Sequence, residues 1–183
     1  MKKTASILIV LVLLCLSVSA CAVSAPLKMR LSTRSGPGTQ YDEPGTFYQS
    51  AWRTTSVDVL SKSWDSRNDI WWVQVDFTYT NGTRYRAWTG LKRVDVNLED
   101  VPEYTPLRDT QGWTTYSVTG YYGPGSNYAR FGTVPADYDF TVLSYEGNYV
   151  EIAYPSHTGK GAHCCWVYDD GSLNIATGSH APW

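Results

Sequence analysis

The sequence predicts an all-β protein built from two tandem small β-barrels. Three observations support this: aromatic and β-branched residues that alternate with polar ones, turn residues between such runs, and an internal repeat. The eight tryptophans and fourteen tyrosines fall largely in runs bounded by Gly, Pro, Asn and Asp, a composition typical of strands joined by tight turns. No long stretch with helical periodicity follows residue 26.

The internal repeat consists of four landmarks that recur in the same order. Each copy opens with Gly-Pro-Gly followed, after two residues, by tyrosine. The paired landmarks are 34–41 with 122–128, 57–61 with 140–144, 72–75 with 149–152, and 87–91 with 165–168. Because repeats indicate copies of one structural unit, we predict a first barrel at 28–98 and a second at 113–178. The Pro- and acid-rich segment 99–112 between them is the predicted linker.

Within each copy the hydrophobic pattern has a period of two. Residues 71, 73, 75 and 77 alternate with 72, 74, 76 and 78, and Asn81-Gly82 then supplies a hairpin turn. We expect Trp88 and Trp166 to anchor the last strands from the inner, core-facing side of each sheet.

The N-terminus predicts export. Two lysines precede the apolar run 7–16, which is about half the length of a membrane-spanning helix and suits a signal peptide at 1–20. Val18-Ser19-Ala20-Cys21 resembles a bacterial lipobox, and this resemblance implies cleavage before Cys21 and lipid attachment to it. Ordinary cleavage after Ala20, Ala22 or Ala25 is the alternative. We therefore expect a cell-envelope protein, anchored to the membrane through Cys21 or otherwise secreted.

Charge argues against nucleic acid as a partner. The whole chain has a net charge of −2, and losing the signal removes two lysines and makes it more negative. No stripe of Lys and Arg stands out, and affinity for phosphates depends on such residues.

The landmark order resembles that of the bacterial SH3 (SH3b) family. The features that carry the resemblance are an Arg34-Ser35-Gly36-Pro37-Gly38-x-x-Tyr41 loop, a Val-Leu strand, a Trp-x-x-Val strand and a small-Trp-x-Gly strand. The resemblance implies SH3-like barrels that attach exported proteins to the cell wall through an aromatic-lined groove between loops. Gly36 and Gly38 flank Pro37, so positive φ is available on both sides of it, and the tight loop aims Tyr41 toward the barrel.

The sequence departs from the family pattern in two ways. The second copy has Tyr121-Tyr122 in place of Arg-Ser, and the first copy carries insertions at 63–69 and 79–86. Candidate ligand-binding residues are Tyr41, Tyr121, Tyr122 and Tyr128, which combine an apolar ring with a polar hydroxyl. The alternative is that these tyrosines fill a small core or its rim.

Metal binding and catalysis are not expected. His157, His163, Cys164 and Cys165 fit no structural zinc spacing, and neighbouring residues on a strand point to opposite faces. A hydrolase using Cys165 is the remaining enzymatic alternative, but both cysteines fall inside the second copy, where Cys165 takes the place of a small core residue. No cofactor is predicted.

These observations together predict a non-catalytic cell-envelope binding module. Its expected ligand is a peptidoglycan peptide or a related wall polymer. The alternative is a lipoprotein that docks an exported partner protein.

Overall fold

The computed structural model describes residues 22–43, 45–47, 56–79, 81–156 and 161–177. These residues form β-strands and short 3₁₀ turns, with no α-helix among them, so the all-β prediction is confirmed. In this part of the chain no helix is long and apolar enough to cross a membrane. The predicted signal peptide, Cys21 and His157 lie outside the described residues.

The described residues of the first half, 22–107, form six strands and two 3₁₀ turns. The elements are β1 (Val23–Pro26), β2 (Leu31–Thr33), β3 (Gly45–Phe47), β4 (Ser56–Asp65), β5 (Ile70–Thr78), β6 (Arg84–Gly90) and the 3₁₀ turns Leu91–Arg93 and Leu98–Asp100. Strands β1, β4, β5 and β6 form one sheet in that order, and β2 pairs with β3. Arg34 and Trp88 exchange main-chain hydrogen bonds of 2.7 and 2.8 Å, which brings the end of β2 beside β6.

The described residues of the second half, 108–177, form one seven-stranded sheet. The strands are β7 (Thr110–Thr114), β8 (Val118–Tyr121), β9 (Arg130–Val134), β10 (Asp139–Glu146), β11 (Tyr149–Pro155), β12 (Ala162–Tyr168) and β13 (Leu173–Thr177). Their order is β13-β7-β10-β11-β12-β8-β9, which matches the first half strand for strand except for the added β13. None of the sheets of the described residues closes on itself as a barrel.

A β-bulge recurs at the same place in both halves. The register shifts between Val59 and Ser61 in β4, and between Val142 and Ser144 in β10. A bulge inserts one residue, so the next side chain turns to the other face of the sheet. Val59 therefore lies in the core, whereas Ser61 faces the opposite side, a change that strict alternation does not predict.

Each half has its own apolar core, and the two tryptophans that are equivalent in the repeat, Trp88 and Trp166, lie outside both cores. Ala87 lies in the first core and Cys165 in the second. Because successive side chains alternate, Trp88 and Trp166 point to the opposite face. Both are buried, at 1% and 5% exposure, but against the other half of the molecule. The prediction that they are buried is confirmed, and the prediction that they occupy the inner face is wrong.

The two halves dock reciprocally through their Gly-Pro-Gly loops. The first loop pairs with β12, where the Asp42 amide donates to the Ala162 carbonyl (3.3 Å) and the Ala162 amide donates to the Gln40 carbonyl (3.0 Å). The second loop pairs with β6, where the Ala129 amide donates to the Arg84 carbonyl at 2.8 Å. Each loop thus meets the corresponding strand of the other half, as in an internal pseudo-twofold arrangement.

The segment predicted as a linker, 99–112, contacts the first half and then enters the second. Val101 is buried in the first core. The Lys62 amide donates to the Pro102 carbonyl at 2.9 Å, and the Tyr104 amide donates to the Lys62 carbonyl at 2.8 Å. The segment ends in β7, which begins at Thr110. Main-chain pairing with β4 therefore holds its first part.

Candidate functional site

The glycine that opens each loop makes room for an aromatic ring. A Cβ on Gly36 would lie 2.5 Å from Cδ1 of Tyr41, and one on Gly123 would overlap the ring of Tyr128. Neither glycine has a positive φ, so the expectation of left-handed freedom before the proline is wrong. The loop needs glycine here because the tyrosine packs directly against its Cα.

Tyr128 lies in the contact between the halves. Its hydroxyl donates to Oδ2 of buried Asp76 at 2.5 Å. The guanidinium groups of Arg84 and Arg86 lie 4.7 and 5.7 Å from its ring centroid, within the range of cation–π attraction. Burial and the neighbouring Asp76 raise the pKa of this phenol. Only 6% of Tyr128 is exposed, so in this arrangement it joins the halves and offers little surface to a ligand.

The other three predicted tyrosines occupy separate surroundings. Tyr41 is half-buried and lines a cleft of about 490 Å³ between the halves, where burial raises its pKa to about 12. Tyr122 contacts the rings of Tyr85 and Phe131, with centroids 5.7 and 5.1 Å away. Burial raises the pKa of Tyr122 to about 12. Tyr121 lines a small cavity between the halves with Trp88 and Trp166, and its ring also packs edge-on against Tyr149, with centroids 6.3 Å apart. The structure therefore does not bring Tyr41 and Tyr128 together, because each lies where its own loop meets the other half.

A buried polar cluster crosses the contact between the halves. Oε2 of Glu151 accepts hydrogen bonds from Ser144 Oγ (2.7 Å) and from the Tyr104 hydroxyl (2.9 Å). The Cys164 thiol approaches the other carboxylate oxygen, at 3.8 Å. Burial raises the pKa of Glu151. The ring of Tyr104 also packs edge-on against Trp88, with centroids 4.9 Å apart, so this tyrosine connects the two halves.

A cleft in the first half, named here the tryptophan cleft, is lined by three tryptophans. One wall is the β4–β5 hairpin, which supplies Trp64, Ile70, Trp71 and Trp72. The rings of Trp64 and Trp71 lie 5.2 Å apart, and 45% of Trp64 is exposed. The cleft has a volume of about 450 Å³. The opposite wall and rim consist of Ser32, Arg34, Thr39, Asp69, Gly90, Leu91, Lys92 and Arg93.

A side-chain cap holds the tip of the hairpin in place. Asp65 accepts from the Arg67 amide at 3.1 Å and from the Asn68 side chain at 2.8 Å. Asn68 also donates to the Thr39 hydroxyl at 3.3 Å and so ties the tip to the first Gly-Pro-Gly loop. These hydrogen bonds lower the pKa of Asp65. The tip lies in the insertion 63–69, the part of the first copy that the family resemblance did not account for.

The corresponding position in the second half carries a different aromatic surface, named here the tyrosine face. It consists of Tyr121, Tyr149 and Tyr168, with adjacent ring centroids 6.3 and 5.3 Å apart. By the register of the repeat, Tyr149 takes the place of Trp72 and Tyr121 that of Arg34. The matched aromatic pair is thus Trp72 and Tyr149, of which Trp72 is buried, and the exposed Trp64 has no counterpart in the tyrosine face.

The thiols and the histidine in the described residues are engaged inside the fold. Cys164 and Cys165 are free and buried, and burial raises the pKa of both thiols, which disfavours a nucleophilic thiolate. His163 Nδ1 pairs with Asp42 across the halves. Within the described residues, no group of three or more His, Cys, Asp and Glu side chains is arranged to hold a metal ion.

Comparison with known proteins adds no family assignment. No protein-family model matches the chain, and no curated protein matches it in sequence. Functional inference therefore rests on the geometry of the molecule itself.

Proposed function

We propose that this protein is a non-catalytic cell-envelope binding module that recognises peptidoglycan or a related wall polymer. The observation that carries the proposal is the tryptophan cleft. It combines exposed indole rings, a volume of about 450 Å³ and a few polar groups, which is the make-up of a ligand site. The site lies on a hairpin whose tip is capped by hydrogen bonds to Asp65.

The proposal includes assignment of the two halves to SH3-like units of the bacterial SH3 family. Three features support it: the matching strand order, the bulge repeated in β4 and β10, and the Gly-Pro-Gly loop that packs its tyrosine on the first glycine. The candidate site shifts from the four loop tyrosines toward the tryptophan cleft, with Tyr41 in the adjoining cleft between the halves.

Co-sedimentation with purified peptidoglycan sacculi tests the proposal. The chain from residue 22 onward should sediment with sacculi in a saturable manner, and heat-unfolded chain should serve as the control for non-specific adsorption. Absence of saturable binding to sacculi from several bacteria would contradict the proposal.

A second candidate function is docking of an exported protein. The tyrosine face favours it, because Tyr168 is 45% exposed and tyrosine is enriched at protein interfaces. In that case neither the natural protein nor Tyr168→Ala would bind sacculi. The variant alone would lose the ability to capture the partner protein. The two functions are thus separated by which aromatic surface the binding depends on.

Anchoring through Cys21 remains part of the proposal. Lipidation there would hold the module on the membrane, since each buried CH₂ of the lipid adds about 0.8 kcal/mol. Cys21→Ser should move the protein from the membrane fraction to the soluble fraction of the envelope or to the medium. An unchanged membrane fraction would contradict lipidation.

A further inference from the structure

The walls of the tryptophan cleft suit the faces of sugar rings. Trp64 and Trp71 present apolar indole surfaces 5.2 Å apart, and Trp64 is 45% exposed. Aromatic rings combine apolar area with little conformational freedom, so they can receive the apolar face of a sugar ring at low entropic cost.

The strands at the cleft disfavour an extended peptide added as a further strand. Strand β5 pairs with β4 on one side and β6 on the other. Strand β6 is in turn flanked by Arg34 at the end of β2. Peptide recognition by strand addition needs a free sheet edge, which these two strands do not offer. Recognition here must therefore use side chains.

The rim of the cleft is basic in a chain that is acidic as a whole. Arg34, Lys92 and Arg93 face it, against the single acid Asp69. Arg34 is held by Glu43 at 3.5 Å. Lys92 is exposed on the 3₁₀ turn Leu91–Arg93. This local excess of positive charge is complementary to an anionic ligand.

The second half carries an acidic residue at the position that corresponds to Lys92. When the register is continued from Trp88 and Trp166, Asp170 takes the place of Lys92. Asp169 lies beside the tyrosine face, where its amide donates to the Asn148 carbonyl at 2.9 Å. The two aromatic surfaces therefore differ in charge as well as ring type, which argues that they do not share a ligand.

We infer that the tryptophan cleft binds an anionic saccharide chain, with sugar rings on Trp64 and Trp71 and the acidic groups paired with Lys92 and Arg93. The tyrosine face does not bind it. This inference rests on the proposed function and names the ligand class for the same site. A carboxylate on a peptidoglycan glycan strand and a phosphodiester in a wall polymer present the same negative charge beside a sugar.

The binding site is long enough for more than one or two sugar rings, because two clefts meet at Trp64. Trp64 lines both the tryptophan cleft and the cleft between the halves, which holds Tyr41, Arg67 and Arg108. A chain that crosses Trp64 would pass from the rim at Lys92 toward these two arginines. We therefore expect affinity to rise with chain length, beyond the disaccharide that the tryptophan cleft alone would hold.

Titration with purified saccharides, followed by tryptophan fluorescence and calorimetry, tests the inference. The charged probes are peptide-free peptidoglycan glycan strands and a sugar-substituted poly(glycerol phosphate). The neutral probe is an N-acetylglucosamine hexamer, which offers similar rings without acidic groups. We expect at least one charged probe to bind more tightly than the neutral one and to weaken as salt is raised. Comparison of the two charged probes shows which source of negative charge is preferred.

Matched variants locate the contacts. Lys92→Gln should weaken binding of the charged probe about two- to fivefold at low salt, and leave the neutral probe unchanged. Arg130→Gln, which removes an exposed basic side chain from β9 of the second half, should leave both unchanged. Trp64→Ala should weaken binding of all saccharides at least about tenfold. Tyr168→Ala is the control on the tyrosine face, and thermal unfolding checks that each variant is folded.

The outcomes separate this inference from the proposed function. Sacculus binding that survives Trp64→Ala and Lys92→Gln, with no binding of either charged probe, would overturn the inference and leave the proposed function standing. Binding of a charged probe that depends on Lys92, without binding to any sacculus, would contradict the proposed function and leave the anionic-saccharide site standing. Equal affinity for the neutral and charged probes would also overturn the inference.

Discussion

Gln74 and Glu151 occupy equivalent positions in β5 and β11, and each accepts a hydrogen bond from a serine that follows a bulge. Ser61 donates to Oε1 of Gln74 at 3.3 Å, and Ser144 donates to Oε2 of Glu151 at 2.7 Å. Both side chains lie in the contact between the halves and both are buried. The repeat therefore contains a natural comparison between a neutral amide and a carboxyl group in the same surroundings.

Glu151→Gln should stabilise the protein at neutral pH. Burial raises the folded-state pKa of Glu151, so between its unfolded value near 4.5 and the raised value the folded state binds more protons than the unfolded state. The free energy of unfolding contributed by this group is thus highest below about pH 4.5 and falls as pH rises. The glutamine carbonyl can still accept from Ser144 and Tyr104, because both donate to the same oxygen.

Urea unfolding at pH 5 and pH 8 checks this prediction. We expect the variant to be more stable than the natural protein at pH 8, because burial disfavours the charged carboxylate and the amide carries no charge. The gain should shrink at pH 5. The other groups facing Glu151 are Tyr104, Cys164 and Arg86, and the variant leaves all three unchanged. A loss of stability at pH 8 would show that the charged carboxylate is preferred.

Tyr128→Phe and Tyr41→Phe should differ although the two tyrosines are equivalent in the repeat. The Tyr128 hydroxyl donates to the carboxylate of buried Asp76, and its loss should cost about 1.5 to 3 kcal/mol. The Tyr41 hydroxyl forms its hydrogen bond with the neutral side chain of Gln40, so its loss should cost only about 0.5 to 1 kcal/mol. Denaturant midpoints of the two variants test this, and equal losses would refute the docking role of Tyr128.

Gly123→Ala should destabilise the protein far more than Gly90→Ala. A Cβ at position 123 would overlap the Tyr128 ring, and forcing extra volume into a packed site costs about 1 to 3 kcal/mol. Nothing lies within 4 Å of a Cβ at Gly90, whose backbone has a φ of −67°. Thermal melts should therefore show a clear loss for the first variant and little change for the second. Comparable melting temperatures would contradict the packing of the tyrosine on the loop glycine.

The thiols of Cys164 and Cys165 should resist alkylation in the folded protein. Both are buried, and burial raises their pKa, so few thiolates form at neutral pH. Iodoacetamide at pH 7.5 should label neither until denaturant is added, as followed by mass spectrometry. Rapid labelling of Cys165 in the native protein would revive the possibility of a nucleophilic role.

The sequence predicted strands, turns and the repeat, because these depend on local alternation and on glycine and proline. It predicted that Trp88 and Trp166 are buried, but not that they face the other half. That outcome depends on how two sheets meet, which alternation along one strand cannot show. The bulge before Ser61 was also missed, since no residue type at 59–61 marks it.

The candidate site was missed for a related reason. The insertion 63–69 has no counterpart in the family pattern, yet it carries Trp64 near the tip of the β4–β5 hairpin. A signal was present: Trp64, Trp71 and Trp72 bracket a run of turn-forming polar residues, the pattern of an aromatic hairpin tip. The loop tyrosines drew attention through the repeat, but repetition there reflects the reciprocal docking of the halves.

The most direct test of the account is quantitative co-sedimentation of Trp64→Ala/Trp71→Ala chain with purified sacculi, beside the natural chain and Tyr168→Ala. The account predicts saturable binding by the natural chain and by Tyr168→Ala, and an affinity at least about tenfold lower for the folded double variant. Undiminished binding by the double variant would place the ligand elsewhere and contradict the account.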